Sequence, residues 1–260
     1  MVAERQQKIL ELLAQQEQAT VSELSGAFDV SPVTIRTDLN QLAELGKVVR
    51  THGGARLAAE RMRQELSYAT RQRINAEQKR CIGEVAAALV SSEDAILLDS
   101  STTAVAVGTA LKERADLEDI TVVTTGVWTA LELLGASHIQ VVLAGGQVRE
   151  TTGSITGIFT EEILSRFNFA KVFLGAWGIT LEEGATDTPL AEVELKQKII
   201  ARSKPVYIVA DGSKLGRRAL ATFAPIDTIT GLVSDDSAPH ELVTALRERG
   251  VDVHIACDGT

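Results

Sequence analysis

The run Asp99-Ser100-Ser101-Thr102-Thr103 places a carboxylate and four consecutive hydroxyls between an apolar stretch, 95–98, and a helix-like one, 104–111. Hydroxyls and backbone N–H groups at a helix start are good phosphate ligands, and aspartates are good partners for sugar hydroxyls. Comparable residues follow four further apolar runs: Thr124-Thr125-Gly126, Gly145-Gly146, Gly175-Ala176-Trp177-Gly178 and Asp211-Gly212-Ser213-Lys214. One such cluster is a turn; five together predict a polar pocket. Its candidate ligands are Asp99, Ser100, Ser101, Thr102, Thr103, Thr125, Gly145, Gly146, Gly175, Asp211 and Lys214. The chemistry expected there is holding a small phosphorylated molecule. The alternative is an isomerase or deaminase acting on a sugar phosphate, which needs a positioned base and a group to polarise a carbonyl. Asp99 or Asp211 with Lys214 are the residues available for it, yet no histidine lies at any of the five points. Neither GxxxxGK[ST] nor GxGxxG occurs, so nucleotide chemistry is not expected. The chain is read as a non-enzyme with no catalytic residue, no metal and no cofactor.

These residues need elements to position them. Strand-like runs at 95–99, 120–125, 139–144, 171–175, 206–210, 229–233 and 251–256 alternate with helix-like ones at 81–90, 102–113, 128–134, 159–166, 190–203 and 238–249. Several strands are almost wholly apolar, as in a parallel sheet covered on both faces. The fold class expected is α/β, an open and mainly parallel sheet whose ligands sit outside the carboxyl ends of the strands. Glu192 and Lys196 stand four apart on a helix and read as an exposed ion pair. Trp128 and Trp177 fit a core as well as a pocket wall.

The front of the chain differs. Ile9, Leu10, Leu12 and Leu13 fall at helical spacing, and Val21, Leu24 and Phe28 form a second short helix that Thr20 or Ser22 can cap. In the third, Ser31 suits the N-cap, Pro32 the first helical position and Gly46 the stop. Ile35, Leu39, Leu42 and Leu45 make one apolar stripe. The opposite face carries Val33, Thr34, Arg36, Thr37 and Asn40, short and uncharged to basic, able to approach base edges. Ser31 and the helix start suit a phosphate oxygen. Arg50 and His52 lie in a basic hairpin behind it, the wing of a winged helix-turn-helix that would lie against the DNA backbone or minor groove. Asp38, a carboxylate near phosphates, reads as a structural partner.

Bulk properties agree with a globular chain. Of 260 residues, 45% are apolar and 23% charged, and no apolar run approaches a membrane span. The net charge of −9 is unevenly spread: residues 1–80 carry 12 Lys+Arg against 10 Asp+Glu, and residues 81–260 carry 14 against 25. The acidity that would repel nucleic acid is at the back. Cys81 and Cys257 form no framework and no CxxC, and the start is no signal peptide, so a reducing cytoplasm is expected. Four scattered histidines do not suit zinc.

From Arg5 the order is three residues, Ile9, three residues, Leu13, seventeen residues, then Ser31-x-x-Thr34-Ile35-Arg36-Thr37-Asp38-Leu39. This resembles the helix-turn-helix signature of the DeoR family of bacterial transcription regulators. Thr37 departs from it, standing where the family has a basic residue or asparagine. Arg71, Asn75, Lys79 and Ile82 match the spacing that opens the family's second domain. The family's "D-S-G-T-T", "T-N", "G-G", "E-x-x-x-K" and "D-x-S-K" read here as 99–103, Thr124-Thr125, Gly145-Gly146, Glu192 to Lys196 and Asp211 to Lys214. Ser101 replaces a glycine and Thr125 an asparagine, which implies a different ligand choice. The resemblance implies a winged helix-turn-helix at 1–56, a linker at 57–70 and an α/β effector and oligomerisation domain at 71–260, similar in fold to ribose-5-phosphate isomerase and glucosamine-6-phosphate deaminase. It further implies a repressor of carbohydrate uptake or catabolism genes that binds a double-stranded operator as a homo-oligomer, dimer or tetramer, and answers to a phosphorylated sugar.

Overall fold

The computed structural model describes residues 2–16, 18–45, 47–57 and 68–257. Gly46, read as a helix stop, and most of the linker read at 57–70 lie outside them. The chain divides into two compact units, Met1–Asn75 and Ala76–Thr260. Residues 71–75 therefore fall with the first unit rather than opening the second.

In the first unit α1 is Val2–Gln16, β1 Gln18–Thr20, α2 Val21–Phe28 and α3 Pro32–Glu44. Strands β2, Val48–Thr51, and β3, Gly54–Leu57, then form the wing, and α4 is Tyr68–Arg73. The sheet order is β1-β3-β2, antiparallel throughout. Thr20 caps α2: its hydroxyl accepts from Glu23 N at 3.2 Å while the Glu23 carboxylate takes Thr20 N at 2.7 Å, a reciprocal pair that closes the first turn. Ile9, Leu13, Leu24, Ile35, Leu39 and Leu42 are fully buried together. Gly54 lets the wing touch β1, because a Cβ there would stand 2.1 Å from the Ala19 carbonyl oxygen.

The second unit starts with α5, Ala76–Ala88, then β4, Ala95–Leu98, α6, Thr102–Glu113, β5, Ile120–Thr124, α7, Val127–Leu133, and β6, Ile139–Leu143. A hairpin of β7, Gln147–Arg149, and β8, Ser154–Thr156, leads to α8, Ile158–Leu164, and β9, Lys171–Gly175. Next come β10, Gly178–Thr180, β11, Gly184–Asp187, α9, Leu190–Ile200, and β12, Val206–Val209. The chain ends with β13, Ala221–Ala224, β14, Gly231–Asp235, α10, His240–Glu248, and β15, Asp252–Ala256. Seven strands form one parallel sheet in the order β15-β14-β12-β9-β4-β5-β6. The seven runs read as strands are these seven.

Side chains alternate between two cores, as strand geometry requires. In β4, Ile96 and Leu98 join α5, α6 and α7 on one face, with Val107, Leu111 and Leu133. Leu97 points to the other face, with Leu195 of α9, Phe223 of β13, and Val243 and Leu246 of α10. An antiparallel side sheet, β10-β11-β13, lies outside the main one. No described helix is long and apolar enough to cross a membrane.

Cys81 of α5 and Cys257, just past β15, form a disulfide across 176 residues of sequence. The expectation of two unconnected cysteines is corrected: the fold brings the first helix of this unit against its last strand. No local spacing signals such a pair.

Candidate nucleic-acid interface and sensor site

On α3 the N-cap is Ser31, whose hydroxyl accepts from Thr34 N at 3.2 Å and contacts Thr34 Oγ1 at 2.9 Å. Ile35, Asp38, Leu39 and Leu42 face inward. Val33, Arg36, Thr37 and Asn40 are exposed and Thr34 half-buried, so the outward face has the composition read from the helical wheel. Thr37 donates its hydroxyl to the Val33 carbonyl at 3.1 Å, leaving its oxygen as an acceptor.

One ion pair and one set of arginine hydrogen bonds hold this face in place. Buried Asp38 takes Arg5 Nε at 2.5 Å and Nη2 at 3.2 Å, tying α3 to α1; the carboxylate raises the guanidinium's pKa above its usual value. Arg50 donates to Asn40 Oδ1 at 2.7 Å and to the carbonyls of Gly54 at 3.2 Å and Arg36 at 3.4 Å. Read from the sequence as lying against DNA, Arg50 in this structure stitches the wing to α3. His52 is exposed at the wing tip. Replacing Asp38 by asparagine is expected to lower the thermal midpoint of the N-terminal unit, since one donor of the Arg5 fork would lose a charged acceptor. Melting followed by circular dichroism checks it, and an unchanged midpoint removes Asp38 as a strut.

In the second unit, the five strand ends belong to the neighbouring strands β12, β9, β4, β5 and β6. Asp99 is buried at the centre. Its Oδ1 accepts from Ser101 N at 2.9 Å and its Oδ2 from Gly175 N at 2.8 Å, which clamps the ends of β4 and β9 together. Lys196 of α9 lies 3.0 Å from Asp99 Oδ2 and 2.5 Å from Asp187 Oδ2, and donates to the Gly175 carbonyl at 2.7 Å. The reading of Lys196 as one half of an exposed helical pair is thus corrected, as its ammonium is buried among two carboxylates. Burial opposes the charge, but Asp187, Asp99 and Glu192 together outweigh it and hold the Lys196 pKa above the ordinary lysine value. For Asp99 too, burial would raise the pKa; Lys196 and the Ser101 contacts lower it instead. Both groups stay ionised at neutral pH, with every Asp99 oxygen engaged. That arrangement orients loops and leaves no free base.

Ser101 has φ −73° and caps α6, accepting from Ala104 N at 3.0 Å. Positive φ is not needed there, so the serine fits where a glycine was the expected type, and its hydroxyl is occupied. Gly175 makes room for it: a Cβ would meet Ser101 Cβ at 2.4 Å. Asp211 caps the 3-10 turn Gly212–Lys214 by accepting from Ser213 N at 3.2 Å. Lys214 lies over the Trp177 ring at 5.9 Å. Gly145 and Gly146 are exposed, and they start the β7–β8 hairpin; a Cβ on Gly146 would meet Thr160 Oγ1 at 2.2 Å.

Four hydroxyls remain. Ser100, Thr102, Thr103 and Thr125 are buried as residues, and their side-chain oxygens have no hydrogen-bond partner among the described residues. Ser100 follows β4, Thr102 and Thr103 open α6, and Thr125 follows β5; the two strand ends approach closely, since a Cβ on Gly126 would stand 2.9 Å from Ser100 Cα. Sequence reasoning missed the hairpin beside them. Its Ser154 donates to Glu192 Oε1 at 2.7 Å and meets Thr152 Oγ1 at 2.8 Å, with Arg149 3.8 Å from the same carboxylate. Gly153, at φ +69°, packs against Trp128, which is partly exposed. The run Thr151-Thr152-Gly153-Ser154 was the available signal.

Family comparison decides between holding and turnover. Residues 5–61 match the DeoR-like helix-turn-helix domain and residues 74–236 the DeoR C terminal sensor domain. The chain belongs to the DeoR family of transcription regulators. It is similar to the HTH-type transcriptional regulator GolR of Listeria innocua, 36% identical over 97% of this chain and 98% of that one. The glycerol-3-phosphate regulon repressor of Escherichia coli is 31% identical, again over 97% and 98%. Among solved structures, ribose 5-phosphate isomerase A of Methanocaldococcus jannaschii covers 54% of this chain and 55% of its own at TM-score 0.41 and 16% identity. This DeoR-family chain is a transcription regulator, with a helix-turn-helix in its first unit and a sensor domain in its second. Its named relatives are regulators and repressors rather than enzymes.

Proposed function

We propose that this regulator is a cytoplasmic repressor of carbohydrate uptake or catabolism genes. It binds a double-stranded operator through α3 and releases it when a phosphorylated sugar or polyol occupies the strand ends of the sensor unit. The observation that carries the reading is the set of hydroxyls without a hydrogen-bond partner among the described residues, on Ser100, Thr102 and Thr103 around the start of α6 and on Thr125 at the end of neighbouring β5. Hydroxyls and helix-start N–H groups are suited to a phosphate. The glycerol-3-phosphate regulon repressor, by its name, serves a phosphorylated polyol, which supports the same class of effector here. Ser31, Val33, Thr34, Arg36, Thr37 and Asn40 read the DNA, with His52 at the wing and Arg50 as their brace.

The test is fluorescence anisotropy on fragments of the chain's own promoter region at low salt, with and without glycerol-3-phosphate and ribose-5-phosphate. Binding relieved by one of them is expected; no binding to any fragment sinks the reading. Arg36→Ala should weaken operator binding by about 1–3 kcal/mol, roughly 5- to 150-fold, with thermal stabilisation by effector intact. Loss of both would mark misfolding instead. Lys214→Ala should bind operator normally and no longer respond to effector, and a normal response would remove Lys214 from the site.

A further inference from the structure

Arg149 ends β7 as a cation whose donors are unused. Its guanidinium makes no hydrogen bond within the described residues, and its ion-pair partner among them, Glu192 Oε1, lies at 3.8 Å, beyond hydrogen-bond length. The Arg149 side chain is 34% exposed. The hairpin that carries it is fastened to the end of β5: Val127 N donates to the Gly153 carbonyl at 2.9 Å and Ile155 N to the Thr125 carbonyl at 2.8 Å. Arg149 stands opposite Ser154 in the hairpin, and Ser154 stands opposite Gly126. Residues opposite one another in antiparallel pairs share a face, so Arg149 and Ser154 lie on the side to which a Cβ at Gly126 would point. That Cβ would head for Ser100, 2.9 Å from its Cα. Arg149 thus occupies the hairpin face that looks toward the β4 loop.

Charge shows what those donors are for. Three carboxylates, Asp99, Asp187 and Glu192, act on the one ammonium of Lys196, which is committed to Asp99, Asp187 and the Gly175 carbonyl. Residues 81–260 as a whole carry 14 Lys+Arg against 25 Asp+Glu. A phosphate monoester bears about −1.5 to −2 charges near neutral pH, so such a wall repels it unless a cation stands beside it. Hydroxyls hold a phosphate's oxygens without neutralising its charge. Lys214 lies past the end of β12, two strands from β4 in the sheet order. Arg149 comes in from the β5 side, and its planar fork matches two phosphate oxygens at once. A carboxylate 3.8 Å away holds it only loosely, which leaves it ready to exchange one anion for another.

We propose that Arg149 is the residue by which the sensor unit selects a phosphorylated ligand: its guanidinium turns from Glu192 to the phosphate of a molecule seated at the β4 and β5 ends. The proposal rests on the phosphorylated-effector reading and adds to it the side chain that holds the phosphate. Titration calorimetry of the full chain with glycerol-3-phosphate, ribose-5-phosphate and inorganic phosphate is the test. At least one of the three is expected to bind the unaltered chain. Arg149→Gln should bind it roughly 10- to 100-fold more weakly with the melting curve in place, because a charge-assisted pair of hydrogen bonds is lost. Arg149→Lys should fall between the two, keeping the charge and losing the fork. Glu192→Gln should bind it several-fold more tightly, since the competing carboxylate is gone while Ser154 keeps an amide oxygen as acceptor. An arginine that only braced the hairpin would give no such gain. Unweakened binding by Arg149→Gln or Arg149→Lys, or weakened binding by Glu192→Gln, overturns the proposal and leaves the phosphorylated-effector reading in place. An unaltered chain that binds none of the three overturns both.

Discussion

Replacing Lys196 by alanine is expected to destabilise the sensor unit by about 3–5 kcal/mol, since two carboxylates would then be buried without their cation. For a unit of this size that is a fall in melting temperature of about 6–20 °C. The pH dependence distinguishes this cause from lost packing. In the unaltered protein the Asp99 pKa is lowered, so its contribution is present above the unfolded aspartate value, about 4, and fades as pH falls through the folded one. The Lys196 pKa is raised, so its contribution is complete below the unfolded lysine value, about 10.4, and fades only as pH rises beyond that. Between these limits the cluster stabilises at full strength. In Lys196→Ala, Asp99 keeps its Ser101 contacts but loses the cation, so burial favours its protonated form more than in the unaltered protein. The variant's deficit should therefore shrink as pH falls from 7 toward 5. Chemical denaturation at several pH values measures it; a deficit constant across that range would make Lys196 a packing residue and nothing more. Asp99→Asn tests the other side, because it keeps the shape but leaves Gly175 N and Ser101 N with a neutral, partly mismatched acceptor.

The same residue shows what the sequence could and could not reveal. The strands of the main sheet were legible because runs such as Ala95-Ile96-Leu97-Leu98 and Val206-Tyr207-Ile208-Val209 are apolar on both faces. The hydroxyl loops were legible as strand ends for the same reason. Lys196 was misread because Glu192 four residues earlier offered a local explanation. A better signal lay on the helix itself: Val193, Lys196 and Ile199 recur every three residues, and Val193 and Ile199 are buried, which puts Lys196 on the inward stripe. Its partner Asp187 was invisible, since β10 and β11 run for only three and four residues and carry no strong periodicity. In the first unit, helical spacing exposed the outward face of α3, but not that Arg50 would be spent on Asn40. Side-chain pairing between elements follows from register and packing, which no single-element pattern contains.

The Cys81–Cys257 bond is the largest case of that kind, and reducing it is the second large effect expected. Closing 176 residues into one loop removes much of the unfolded chain's freedom, worth about 2–5 kcal/mol on the chain-entropy view. Melting of the oxidised protein should therefore lie well above that of the protein treated with a strong reductant. Cys81→Ser should melt like the reduced form and be indifferent to reductant. If the oxidised and reduced proteins melt together, the crosslink contributes nothing to the fold. The effect should also be local in its reach. The bond ties α5 to the end of β15, both in the second unit, so unfolding of the N-terminal unit and operator binding by α3 should be unchanged in Cys81→Ser. A regulator working in a reducing compartment would hold these sulfurs as thiols. The reduced protein is then the relevant reference for effector binding, and Cys81→Ser supplies it free of redox chemistry.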